Sequence, residues 1–184
     1  MSQASFLIDS GASVELSSSH GASPLMIAAQ KGQLRIVQLL LRRGALIDSA
    51  TSVSRATPLF AAASVGSLGV VRFLVDSGAK VDFATTNGAT PLFAAASAGH
   101  HKIVHLLASS GADPNVAVNV QQQGRKKAAP TTPMFTACAK GFTDAVRTLL
   151  GFGADPARTW TAPDGSTWTP LRVSRQLRLR LSLS

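Results

Sequence analysis

His101 and His105 stand four residues apart, the interval that sets two imidazoles on one face of a helix, as paired zinc ligands require. The pair lacks a glutamate after His101, so it is not HExxH, and no third ligand is in view. One histidine at a packed position and one at the surface is the reading that this leaves. Cys138, the single cysteine, rules out an internal disulfide framework, and it has no basic or histidine neighbour to activate a thiolate. Packing is its expected role. The nine acids include Asp48, Asp82, Asp113 and Asp155, which recur at turns after Gly-Ala pairs and are not paired with one another. Neither a GxxxxGK[ST] phosphate loop nor a GxSxG elbow occurs. Catalysis needs a nucleophile, base or metal held together. The expectation is no enzyme, no cofactor and no metal.

Two other groups could carry recognition. Arg125, Lys126 and Lys127 lie in the polar stretch NVQQQGRKKAAP. That run reads as a solvated loop, or as a basic recognition finger or nuclear-import signal. Trp160 and Trp168 flank an Asp164-Gly165 turn, where they would be binding anchors or would cover the end of a structure.

The elements that position these residues are set by repetition. TPLFAAAS occurs at Thr57–Ser64 and again at Thr90–Ser97, with weaker copies beginning at Ser23, Thr132 and Thr169. The prolines fall at Pro24, Pro58, Pro91, Pro133 and Pro170, spacings of 34, 33, 42 and 37. A second anchor, Gly-Ala, recurs in step at positions 11, 44, 78, 111 and 153. Thr or Ser before Pro is a strong helix start, because the hydroxyl caps a free N–H and proline needs no donor there. Each short alanine-rich helix stops at a glycine. A second helix with apolar residues at helical spacing, such as Ile103, Val104, Leu106 and Leu107, runs to the next Gly-Ala. Helices this short are marginal alone and must bury their faces against neighbouring copies. The periodicity therefore predicts a solenoid.

These residues resemble the ankyrin repeat family, whose pattern is a hairpin turn, TPLHxAAxxG and a longer helix ending in GAD. The resemblance covers about residues 3 to 171. It implies an all-α solenoid of paired antiparallel helices with hairpin turns between repeats. On that register, 1–17 is the C-terminal part of a truncated repeat, with Phe6, Leu7 and Ile8 matching Leu39, Leu40 and Leu41. Residues 18–50, 51–83 and 84–117 are repeats, 118–129 a basic loop insertion, 130–157 a fourth repeat, and 158–184 a degenerate partial repeat with a basic tail. An array that opens in mid-repeat is expected to be a fragment of a longer one, or to have its front face covered. Two departures stand out. The family's histidine, which hydrogen-bonds between repeats, is replaced by Met26, Phe60, Phe93 and Phe135, so apolar packing must substitute. Arg55 stands where two other hairpins have Gly21 and Gly88, which predicts an irregular turn.

The resemblance also implies a concave partner-binding face. Its residues would be Ile27, Gln30 and Lys31; Arg55, Ala61, Ser64 and Val65; Asn87, Ala94, Ser97 and Ala98; and Thr136, Ala139 and Lys140. Arg125, Lys126, Lys127, Trp160 and Trp168 are further candidate contacts. The expected function is a protein-binding scaffold or adaptor. The net charge of +9, with Arg172, Arg175, Arg178 and Arg180 crowding the end of the chain, supplies an alternative. In it, the loop and tail hold nucleic acid, non-specifically, or another acidic surface. The targeting arm of a larger enzyme is a third class. No apolar run reaches the length of a membrane span, and the first residues lack the basic start and apolar core of a signal peptide. An intracellular protein, cytoplasmic or nuclear, is the expectation.

Overall fold

The computed structural model describes residues 13–18, 21–120, 129–161, 166–173 and 175. The described residues form eight helices in four pairs: α1 Pro24–Gln30 with α2 Leu34–Arg42, α3 Pro58–Val65 with α4 Leu68–Asp76, α5 Pro91–Ala98 with α6 His101–Ser109, and α7 Pro133–Lys140 with α8 Thr143–Gly151. Helical residues also follow Pro170. The proposed mid-repeat opening (Phe6, Leu7, Ile8) and most of the basic tail lie outside the described residues.

Each first helix starts in the same way. The hydroxyls of Ser23, Thr57, Thr90 and Thr132 accept the N–H three residues on, each at 3.2 Å. Thr169 repeats the contact with the N–H of Arg172 at 3.2 Å. Thus the last copy, too degenerate to read as a full repeat, still begins a helix. Between pairs, Leu25, Leu59 and Leu92 are fully buried beside the alanine pairs Ala28-Ala29, Ala62-Ala63 and Ala95-Ala96. Cys138 takes the second alanine place in the fourth copy and is buried there. Val37, Val71 and Val104 of the second helices close the same core.

Small side chains let the first helices approach closely. At all three junctions they contact one another more extensively than the second helices do.

Two regular contacts fix the register from one pair to the next. The first is a ladder of hydrogen bonds beside the Gly-Ala turns. Glu15 accepts from the N–H of Leu46 at 2.8 Å, Asp48 from Lys80 at 3.1 Å, Asp82 from Asp113 at 3.2 Å, and the side-chain oxygen of Asn115 from Asp155 at 2.8 Å. Asp48 and Asp82 are turn residues, as expected, and each also binds the following repeat. The second contact lies at the glycine after each first helix. A Cβ on Gly32 would sit 2.6 Å from Ser67 Oγ, on Gly66 2.6 Å from His100, and on Gly99 2.9 Å from Phe142. Ser67, His100 and Phe142 all occupy the same place, the N-cap of the next second helix.

The hairpins differ from expectation in part. The turn at Arg55 is irregular in its width but not in the backbone of Arg55. Arg55 takes the left-handed conformation itself, with φ 55°, as Gly21 and Gly88 do at 75° and 84°. The turn is one residue wider, closed by Thr51 N–H on Ala56 O at 3.0 Å where the third repeat closes Thr85 on Ala89 at 2.9 Å. The guanidinium of Arg55 lies 5.3 Å from the centre of the Phe83 ring. The insertion at 118–129 is not a loop throughout. β1 Val118–Val120 pairs antiparallel with β2 Ala129–Thr131, and Val118 is fully buried. The insertion lengthens a hairpin whose arms keep pairing, because alternating backbone groups there find partners across the strand pair.

Candidate functional site: the first-helix face

The residues expected to meet a partner fall into three columns along the first helices and one along the hairpins. Ile27, Gln30, Lys31, Val65 and Lys140 are exposed on the helices, and Arg55 and Asn87 on the hairpins. Ser64, Ser97, Ala98, Thr136 and Ala139 are half-buried. Ala61 and Ala94 do not belong to this surface. They are 4% and 5% exposed, closed off by close packing of the small first helices and the hairpins beside them. The column that reads Ile27 and Thr136 at its ends is thus sealed in the middle.

Several of these groups are already tied down. Ser64 and Ser97 donate to the carbonyls of Ala61 and Ala94 in their own helices, at 2.8 and 3.1 Å. The Asn87 side-chain oxygen accepts from the Thr85 hydroxyl at 2.6 Å, which braces the third hairpin. Lys140 reaches back one repeat to the carbonyl of Ser97 at 2.6 Å. The charged side chains of this face are Lys31, Arg55 and Lys140. Among the described residues, the carboxylates lie instead in the Gly-Ala loops and second helices, at Glu15, Asp48, Asp76, Asp82, Asp113, Asp144 and Asp155. Met26, Phe60, Phe93 and Phe135 are all half-buried beside these columns, so the family's histidine place carries an apolar stripe.

Trp160 and Trp168 face each other across a short hairpin, β3 Trp160–Thr161 with β4 Thr167–Trp168. Trp160 lies 5.4 Å from Phe135, and Trp168 lies 4.7 Å under the Arg172 guanidinium with its indole N–H donating to Ser166. Both rings are half-buried. Trp160 thus packs against the first helix of the fourth repeat, and Trp168 against Arg172. Arg125, Lys126 and Lys127 lie outside the described residues.

His105 is exposed and meets Phe152 edge-on at 5.2 Å, whereas His101 is half-buried on the preceding turn. A cleft of about 260 Å³ between the second and third pairs gathers His100, His101 and Lys102 without a carboxylate. Among the described residues, no three His, Cys, Asp or Glu side chains converge as a metal would require. Burial pushes the Cys138 thiol above its ordinary range. No described helix is long and apolar enough to cross a membrane.

A row of helix pairs joined through hairpins defines a repeat solenoid, a class that presents surface more than a pocket. A family model for ankyrin repeats matches residues 46–118, and one for the single ankyrin repeat matches residues 20–52. Together they span more than half of the 184 residues, and the chain belongs to the ankyrin repeat family. No curated protein gives a significant match. Ankyrin repeats are in general protein-interaction modules without catalysis.

Proposed function

We propose that this chain is a non-catalytic scaffold that holds an extended segment of a partner protein along its first helices and hairpins. The observation that carries this reading is the make-up of that face. Ile27, Val65 and the half-buried Ala98 and Ala139 supply apolar contact, while Lys31, Arg55 and Lys140 supply positive charge. A segment that mixes apolar and acidic side chains complements both, and complementary charge speeds encounter and fixes register. A phosphate-rich polymer would gain little from three cations spread over four repeats.

The test is affinity capture from nuclease-treated lysate with three chains: unaltered, Val65→Asp with Ser97→Arg, and Arg147→Glu on the second-helix side. A protein partner lost only with the first-helix variants supports the reading. Capture that disappears with nuclease, or that follows Arg147, refutes it and favours the adaptor that binds through its basic charge.

A further inference from the structure

The chain contains five hydroxyl residues directly followed by proline: Ser23, Thr57, Thr90, Thr132 and Thr169. We propose that Thr169 is a phosphorylation site for a proline-directed protein kinase, and that the fold itself hides the other four. Kinases of this class require the proline, and the subset proposed for this site also favours a basic residue three positions after the hydroxyl, a charge pattern that sets substrate choice. Thr169-Pro170-Leu171-Arg172 has that residue. The other four sites carry Met26, Phe60, Phe93 and Phe135 in its place.

Accessibility divides the five in the same way. Ser23, Thr57, Thr90 and Thr132 are buried, none more than 6% exposed, with each hydroxyl capping a helix packed inside the stack. To reach a kinase cleft as an extended strand, they would have to pull a whole helix out of the core. Thr169 is half-buried, Arg172 is exposed, and Leu171 is 73% exposed, where Leu25, Leu59 and Leu92 are fully buried. Freeing it opens the two-residue strand Thr167–Trp168 and the start of the helix at Pro170, which is buried like Pro58, Pro91 and Pro133 but has the exposed Leu171 and Arg172 behind it. Segments held by so little buried surface open at low cost.

In the reaction, Oγ of Thr169 attacks the γ-phosphorus of the kinase's magnesium-bound ATP. The bond from that phosphorus to the bridging oxygen breaks, ADP leaves, and the hydroxyl proton passes to the kinase's catalytic carboxylate. The new group brings a charge of about −1.5 to −2 to the start of the turn, where it meets the Arg172 N–H and guanidinium. The charged hairpin end of the stack is thereby changed without touching the first-helix face of the second and third repeats.

The experiment incubates the full chain with a purified proline-directed kinase of this subset and magnesium ATP, with sites located by fragment mass spectrometry. A synthetic peptide covering residues 164–175 runs in parallel. The expected result is one phosphate per folded chain, on Thr169. It is lost in Thr169→Asn, which keeps a capping side chain, and forms several-fold more slowly in Arg172→Ala. Phosphate on Ser23, Thr57, Thr90 or Thr132 of the folded chain overturns the proposal. So does an unchanged rate in Arg172→Ala, a peptide that is phosphorylated while the chain is not, or failure of both.

Discussion

The ring of Phe142 lies against Gly99 so closely that a Cβ on that glycine would meet Cδ1 at 2.9 Å, although 43 residues separate the two in the chain. Gly141 has nearly the same backbone, φ 76° against 78°, but among the described residues nothing lies within 4 Å of its Cβ direction. The two glycines separate backbone strain from crowding. Gly141→Ala should cost about 1–2 kcal/mol for a side chain in the left-handed region. Gly99→Ala should cost that and about 1–3 kcal/mol more for overpacking against the ring. Urea unfolding of both variants measures the difference. Equal losses would mean that Phe142 does not seat on Gly99.

Arg55 carries the opposite substitution already. Arg55→Ala removes the contact with Phe83 and keeps the left-handed backbone, so it should destabilise by roughly 0.5–1 kcal/mol. Arg55→Gly loses the same contact but releases about 1–2 kcal/mol of backbone strain. The glycine variant should therefore melt above the alanine variant and at or above the unaltered chain. Thermal melts followed by circular dichroism give the order directly.

Asp82 makes a rung of the ladder at a cost in charge. Partial burial raises its pKa most, the Asp113 N–H lowers it by less, and the Asp113 carboxylate adds a smaller rise. A raised acid contributes stability that is full below its unfolded value and is lost as pH climbs through the folded one. Asp82→Asn keeps an acceptor and drops the charge, as Asn115 does naturally one repeat later. The variant should gain on the unaltered chain at neutral pH. That advantage should shrink as pH falls through the carboxylate range, as denaturant midpoints from pH 3 to 7 would reveal. An advantage that grows on acidification would reverse the sign assigned here.

Cys138 should resist alkylation in the folded chain. The thiol is buried and its pKa is raised, so both access and thiolate are suppressed. Labelling by iodoacetamide at pH 8 is expected to be slow and to accelerate in denaturant to the rate of an unstructured cysteine. Rapid labelling without denaturant would show the fourth repeat to be open.

Substitutions on the first-helix face should divide by burial. Ala94→Arg forces a long cation into a sealed place and is expected to lower stability by several kcal/mol. Ser97→Arg, half-buried at the groove, is expected to leave the helical signal and melting point nearly unchanged. Circular dichroism on the pair checks this before any binding measurement is interpreted.

The helix pairs and their order were legible in the sequence because each start is marked by a local device, a hydroxyl before a proline, that works without help from the rest of the fold. The core positions followed from spacing. What escaped were contacts made between copies. Nothing local distinguishes Asp48, which reaches the next repeat, from Asp113, whose side chain turns back to the N–H of Asn115 at 2.8 Å. Ala61 and Ala94 looked like surface because family position alone cannot show how tightly small helices close over them. The turn at Arg55 is irregular as expected, one residue wider than its counterpart, but composition registers only the missing glycine and not the ring of Phe83 that receives the guanidinium.

The ladder joins each repeat only to its immediate neighbours, and this makes the chain a mechanical element. Pulled by its ends, it should let go rung by rung, since among the described residues no contact spans the whole stack to share the load. A released 33-residue copy adds about 110–120 Å of extended chain, and the wider interval from Pro91 to Pro133 gives a longer step. A molecule tethered through this chain would thus be held by a ratchet of yielding links, which lengthens under load and can rewind when the load is removed.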